Sequence, residues 1–220
     1  MRDKFNEQLE KLHIGLIRMG ALCEDAISAA AEALLQGEPA LAAKASEAEK
    51  QLDQAEREIE ALCLRLLLEQ QPVARDLREI SAALKMISDL ERIGDQAADI
   101  AELTPYVQAA GESGRIHIGD MARAACRMVT DSVDSFVRRD LELARSVCAA
   151  DDQVDRLFMQ VKQEIIALIA ADSGKGELGL DLLMVAKYFE RIGDHATNVA
   201  EWVEYSLTGL HPESNDKDRS

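Results

Sequence analysis

The residues of this 220-residue chain best suited to chemistry are carboxylates. Glu91, Asp95, Asp99 and Glu102 follow one another at spacings of four, four and three, and Glu190, Asp194, Asn198 and Glu201 repeat that spacing 99 positions later. On an α-helix, at about 100° per residue, each set falls within about 80° of arc. Seven acids and one amide thus form two narrow oxygen-rich ridges. Oxygen donors without cysteine and with few histidines suit hard or borderline cations: Mg, Mn or Fe, with Zn also accommodated. The competing explanation is a solvated acidic face neutralised by interhelix salt bridges.

The placement of these acids favours neither explanation cheaply. Leu77, Ile80 and Leu84 set the early packing seam of the third helix, and that direction runs on through Glu91, Asp95 and Glu102. The apolar face continues beside them through Ile87, Leu90, Gly94, Ala97 and Ala101. Like charges at i,i+4 cost a few tenths of a kcal/mol each, and an unpaired, partly buried carboxylate costs several kcal/mol. Arg92 is adjacent but is expected to point elsewhere, so bound cations or basic groups from another helix must compensate. Gly94 and Gly193 each cost about 1 kcal/mol in a helix interior relative to Ala. They make sense where a backbone or a cluster approaches closely.

Other candidate chemistry is thin. His195 follows Asp194 but lies off the acidic arc and is expected to be a surface or salt-bridged histidine. Glu10 and His13 form a lone E-x-x-H, whereas a ferritin-like di-iron site needs two, so His13 is expected to be an ordinary helix residue. No phosphate-cradling glycine loop, no G-x-S-x-G and no nucleophile–base–acid set occurs. The chain is therefore expected not to be an enzyme. Met19, Met86, Met128, Met159 and Met184 suit core filling, and Trp202 and Tyr205 suit packing against a neighbouring helix. Arg65, Arg75 and Arg78 suit either pairing with acids of an adjoining helix or contact with a partner's acidic surface.

Helices must position the ridges. Apolar residues make up 47% of the chain and aromatics only 4%, with 12 Gly and 4 Pro, which disfavours an all-β fold. Phe5, Leu9, Leu12, Leu16, Met19, Cys23, Ala26, Ala30 and Ala33 alternate at four and three, as do Leu41, Ala45, Ala48, Leu52, Ala55, Ile59, Leu62 and Leu66. That is the 3.5-residue seam of long antiparallel bundle helices. Six helices are expected, over roughly 3–36, 39–70, 73–104, 117–138, 140–172 and 177–207. The segments ERIGDQAADIAE (91–102) and ERIGDHATNVAE (190–201) agree at eight of twelve positions, and Leu52-Asp53 answers Val154-Asp155 at an offset of 102. The fold class is therefore all-α: six long helices as two repeated three-helix bundles. The repeats are placed at 1–108 and 115–208, with a polar tail at 209–220.

The net charge of −16, from 25 basic and 41 acidic residues, repels phosphate backbones, so no nucleic acid partner is expected. Cys23, Cys63, Cys126 and Cys148 lie in apolar helical stretches without a C-x-x-C pair, the pattern of buried reduced thiols. With no apolar signal segment and no run of about 18 apolar residues, neither secretion nor direct membrane insertion is expected. A cytoplasmic location follows as the expectation.

The two ERIGD segments resemble the E(D)-x-x-x-D signature carried twice by the PhoU family, six-helix accessory and regulatory proteins of the bacterial phosphate-specific transport system. The likeness covers nearly the whole chain. It includes Gln70-Gln71-Pro72-Val73-Ala74-Arg75-Asp76-Leu77-Arg78, similar to the family's turn between its second and third helices, and Asp53 and Asp155 in the second helix of each repeat. The resemblance implies a cytoplasmic homodimer exerting negative control over the phosphate-starvation regulon and phosphate uptake. It implies an adaptor role between the ATPase subunit of the phosphate ABC transporter and the phosphate-sensing histidine kinase. Some members bind multinuclear metal clusters, which here could be Fe, Zn, Mn or Mg. Carried over, the signature positions are Glu91 and Asp95, then Glu190 and Asp194, extended by Asp99, Glu102, Asn198 and Glu201. Asn198 departs from a fully acidic repeat, so the second cluster is expected to be smaller or weaker. The stretch 175–181 does not repeat Pro-Val-Ala-Arg-Asp-Leu-Arg. The alternative is a metal-dependent or metal-storing carboxylate bundle without a phosphate role.

Overall fold

The computed structural model describes residues 2–70, 72–109 and 117–210. These form α1 (Arg2–Gln36), α2 (Pro39–Gln70), α3 (Ala74–Ala109), α4 (Ile118–Arg138), α5 (Leu141–Ala171) and α6 (Gly176–Thr208), with one 3₁₀ turn at Ser173–Lys175. Of the joint expected near 105–116 and the tail expected at 209–220, residues 110–116 and 211–220 lie outside the described residues.

The seams of α1 and α2 pack as their spacing dictates. Leu12, Leu16, Met19, Cys23 and Leu52 are fully buried, with Leu9, Leu41 and Leu62 at the margin. Helices α1–α3 pack on one another, and so do α4–α6. The two bundles then join along α3 against α6, and α1 against α4. Asp89 meets His195 and Asn198 while Arg78 meets Gly209, so α3 and α6 run antiparallel. The ridge-bearing helix of each repeat therefore lies at the middle of the molecule.

Helix ends follow local chemistry. Gly37 leaves α1 with φ 75° and its N–H donates to the Ala33 carbonyl, a conformation glycine adopts without a Cβ penalty. Asp140 is the N-cap of α5 rather than its first residue, accepting from the Leu143 N–H at 3.0 Å. The third helix does not stop at residue 104: α3 runs through Pro105 to Ala109. A proline near a helix end forfeits a single backbone bond, and burial of Thr104 and Val107 on either side holds the last turn in place.

Several expectations about side chains change. Leu77 is 47% exposed instead of lying on the seam, and Met159 and Met184 are also exposed, because each points away from the face that its helix buries. Met19, Met86 and Met128 are core residues. Cys23 and Cys63 are buried, Cys126 and Cys148 partly so, and all four are free thiols. Trp202 packs edge-on to Tyr205 and lies 6.0 Å below the Lys85 ammonium of α3.

Candidate functional site

Each ridge faces the second helix of its own repeat across a shallow acidic groove. In the first groove, α3 brings Glu91 and Asp95 toward Glu49, Asp53 and Glu56 of α2. The approach is tightest at Gly94: a Cβ there would lie 2.5 Å from Leu52 Cδ1, so any side chain would require the buried Leu52 to shift. Burial and then the Asp95 charge push Glu91 up from its ordinary value. Burial, followed by Asp53 and Asp95, does the same to Glu49. Arg92 does not point elsewhere, as its neighbours' spacing implied. Its guanidinium reaches Asp95 at 3.1 Å and Glu91 at 3.6 Å, an i,i+3 rotamer choice that a helical wheel cannot show. The arginine is 61% exposed, so these pairs are weakly held. Glu49, Asp95, Asp99 and Glu102 border a cleft of about 480 Å³.

The second groove is built alike from α5 and α6. Asp151 and Asp155 stand where the first repeat has Glu49 and Asp53, and they face Glu190 and Asp194. The packing at Gly193 is looser than at Gly94: a Cβ there would lie 3.4 Å from Asp151 Oδ1, an ordinary contact. Burial, then Asp194, Asp155 and Glu190, push Asp151 up to about 6. Asp194 is likewise pushed up to about 6, by burial and by Glu190 and Asp155. The counter-charge here is Lys187, whose ammonium sits 2.6 and 2.5 Å from the two Glu190 oxygens.

The four positions of each ridge do not share one environment. Asn198 turns toward the other bundle, its Nδ2 donating to Asp89 Oδ1 at 3.1 Å beside the His195 Nδ1 contact at 2.9 Å. His195 is thus the bridged histidine its off-arc position implied. Asp99 also looks across the interface, raised by burial, Glu102 and Asp95 and opposed by Arg191 of α6. Glu102 is exposed, and Glu201 lies near Cys148. The two grooves therefore converge on Glu91/Asp95 and Glu190/Asp194. Reasoning along α3 and α6 alone missed Glu49, Glu56 and Asp151. The offset of 102 that relates Asp53 to Asp155 also relates Glu49 to Asp151, and would have found that pair.

The donor set suits a hard cation. The cleft of about 660 Å³ that Asp151 and Asp194 border holds two buried oxygens without a partner, Gln96 Oε1 and Thr197 Oγ1, but Arg92, Arg191 and His195 line it as well. Among the described residues, no three His, Cys, Asp or Glu side chains converge closely enough to grip an ion as they stand. Loading a groove therefore requires its carboxylates to turn inward, away from Arg92 or Lys187.

A PhoU domain family model matches residues 16–104 and again 118–203. The chain belongs to the PhoU family. A phosphate-specific transport system accessory protein PhoU homolog of Clostridium acetobutylicum is 37% identical over 217 residues, spanning 98% of this chain and 99% of the relative. The crystal structure of PhoU from Pseudomonas aeruginosa superposes with a TM-score of 0.89 at 36% identity, covering 94% of this chain and all of that one. The phosphate transport system regulatory protein PhoU from Streptococcus pneumoniae gives 0.86 at 26% identity, over 95% and 99% of the two chains. Two three-helix bundles, read from the sequence repeat, are thus the PhoU fold. No helix among the described residues is long and apolar enough to cross a membrane.

A second feature, outside the grooves, escaped sequence reasoning. Glu79 of α3 is 5% exposed and accepts from His13 Nε2 of α1 and Arg139 Nη1 at the end of α4, both at 2.8 Å. Burial pushes the Glu79 carboxyl up, but the His13 hydrogen bond and the Arg139 charge outweigh it and hold the carboxyl below its ordinary value. His13 is therefore a structural ion-pair partner, packed edge-on against Phe136 at 5.6 Å.

Proposed function

We propose that this PhoU-family chain is a cytoplasmic negative regulator of the phosphate-starvation regulon and of phosphate uptake. In this reading it is a non-enzymatic homodimeric adaptor between the ATPase subunit of the phosphate ABC transporter and the phosphate-sensing histidine kinase. The observation that carries the reading is end-to-end similarity to proteins described as phosphate transport accessory or regulatory proteins, in both repeats at once. The absence of a nucleophile–base set from the sequence supports an adaptor over a catalyst.

Divalent cations form part of the proposal. Glu91 and Asp95 with Glu49 and Asp53 would hold one group, and Glu190 and Asp194 with Asp151 and Asp155 the other. A bound cation would supply charge neutralisation and a bridge between two helices. The protein's own residues supply the donors, and Gly94 allows the close approach of α3 to α2.

Deleting the gene and assaying alkaline phosphatase in phosphate-rich medium tests the regulatory reading. Derepressed activity is expected, and repression as tight as in the parent strain would contradict it. Capture of the transporter ATPase and the kinase on the tagged protein, compared at high and low phosphate, tests the adaptor step.

A further inference from the structure

Helices α1 and α4 meet across the joint between the bundles and run antiparallel. At Gly20 a Cβ would lie 3.1 Å from Val133, and at Gly119 a Cβ would lie 3.8 Å from Leu35. The helices part from the first contact toward the second and leave a cleft of about 380 Å³, floored by the buried Ile27, Ala31 and Ala122. Its walls differ in sign: α1 contributes Glu32, and α4 contributes Arg123 and Arg127, all three exposed. Arg123 is held by Asp120 of its own helix, whereas Glu32 and Arg127 form no ion pair among the described residues. The outward face of α1 also carries Ile14, Ile17 and Leu35, which are 58%, 47% and 39% exposed. Residues 17 and 35 stand about five helical turns apart, so both project on the cleft's side.

We propose that the α1–α4 face is where a second copy of this chain docks, about a two-fold axis that lays α1 of each copy on α4 of the other. A two-fold axis makes every contact reciprocal. One face with an acidic wall and a basic wall is then complementary to itself: Glu32 of each copy meets Arg127 of the other, and both charges gain the partner that their own chain does not give them. A partner of a single charge sign would be repelled by one of the two walls. The aliphatic row on α1 supplies apolar surface to bury, and the cleft leaves room for side chains of the second copy. This inference rests on the homodimer proposed above and assigns it a surface.

Sedimentation equilibrium of the full chain tests it, with circular dichroism to show that helix content is kept. The parent is expected to be a dimer. Glu32→Arg and Arg127→Glu are each expected to weaken the dimer at least about tenfold, because the two-fold axis repeats each like-charge clash. The double variant Glu32→Arg, Arg127→Glu restores the pair with its signs exchanged, and its dimer constant is expected to return to within about threefold of the parent. A parental dimer that either single variant leaves unchanged, or that the double variant does not regain, overturns this surface alone, with the homodimer intact. A parent that sediments as a monomer at every concentration overturns the homodimer reading and this inference together.

Discussion

Glu79 and the groove acids Asp151 and Asp194 show two fates of a carboxylate in one bundle. Glu79 is the more deeply buried, yet its charge is answered from two sides by His13 and Arg139, and its carboxyl sits below its ordinary value. Asp151 and Asp194 are less buried but face other acids, and both are pushed up to about 6. Burial alone does not decide whether an acid is a structural element or an open valence. The partners do. The Glu79 contacts span α1, α3 and the end of α4, so they hold the two bundles together, whereas the groove acids repel within one bundle.

The largest effect should come from breaking the satisfied acid. Arg139→Ala leaves Glu79 buried with His13 as its one remaining partner, and such a loss costs about 3 kcal/mol. Urea unfolding should show the midpoint fall with little change in slope, and an unchanged midpoint would mean the triad contributes nothing. Arg139 also sits at φ 56°, so Arg139→Gly separates backbone relief from lost charge. It should recover part of the deficit, not all.

The glycines beside the grooves come next. Gly94→Ala places a Cβ 2.5 Å from Leu52 Cδ1, an overpacking worth about 1–3 kcal/mol. Gly193→Ala meets Asp151 Oδ1 at 3.4 Å, an ordinary contact. There the gain in helix propensity of about 1 kcal/mol should leave stability near or above the parent. Thermal melts of both variants check the contrast, and equal losses would show that the two grooves are not held apart differently.

These glycines also show how much was legible in advance. Helix number, seams and the repeat follow from periodicity, because packing of long helices is local and regular, and the cost of glycine in a helix interior flagged the close approach found at Gly94 but not at Gly193. The ridge positions were legible for the same reason. The direction of Arg92 was not, since a rotamer choice separates a solvent-facing arginine from one that spans Glu91 and Asp95. Nor was the Glu79 triad, which joins residues 66 and 60 positions apart and leaves no periodic trace. The continuation of α3 through Pro105 depends on burial of Thr104 and Val107, which a proline rule ignores.

Smaller effects separate the two classes of acid by pH. A carboxyl raised to about 6 from its ordinary 3.8 binds protons more readily in the folded state, so stability rises as pH falls through that window. The metal-free protein should melt a few degrees higher at about pH 5 than at pH 7. Asp151→Asn should raise the pH 7 value and flatten this slope. Glu79 works oppositely: its carboxyl is held below 4.5, so its contribution is present at neutral pH and lost as pH falls through the depressed value. Melting temperature should therefore peak in mildly acidic buffer. A monotonic rise or fall from pH 7 to pH 3 would erase the distinction between the two acids.

The most direct measurement is equilibrium dialysis of the chelator-stripped protein against Mn(II), alongside the double variant Asp95→Asn, Asp194→Asn, which alters one carboxylate in each groove. Retention of Mn(II) by the parent and its loss in the variant, with helix content unchanged, is the expected result. Equal retention by both proteins, or none by either, would contradict the assignment of the unsatisfied grooves as cation sites.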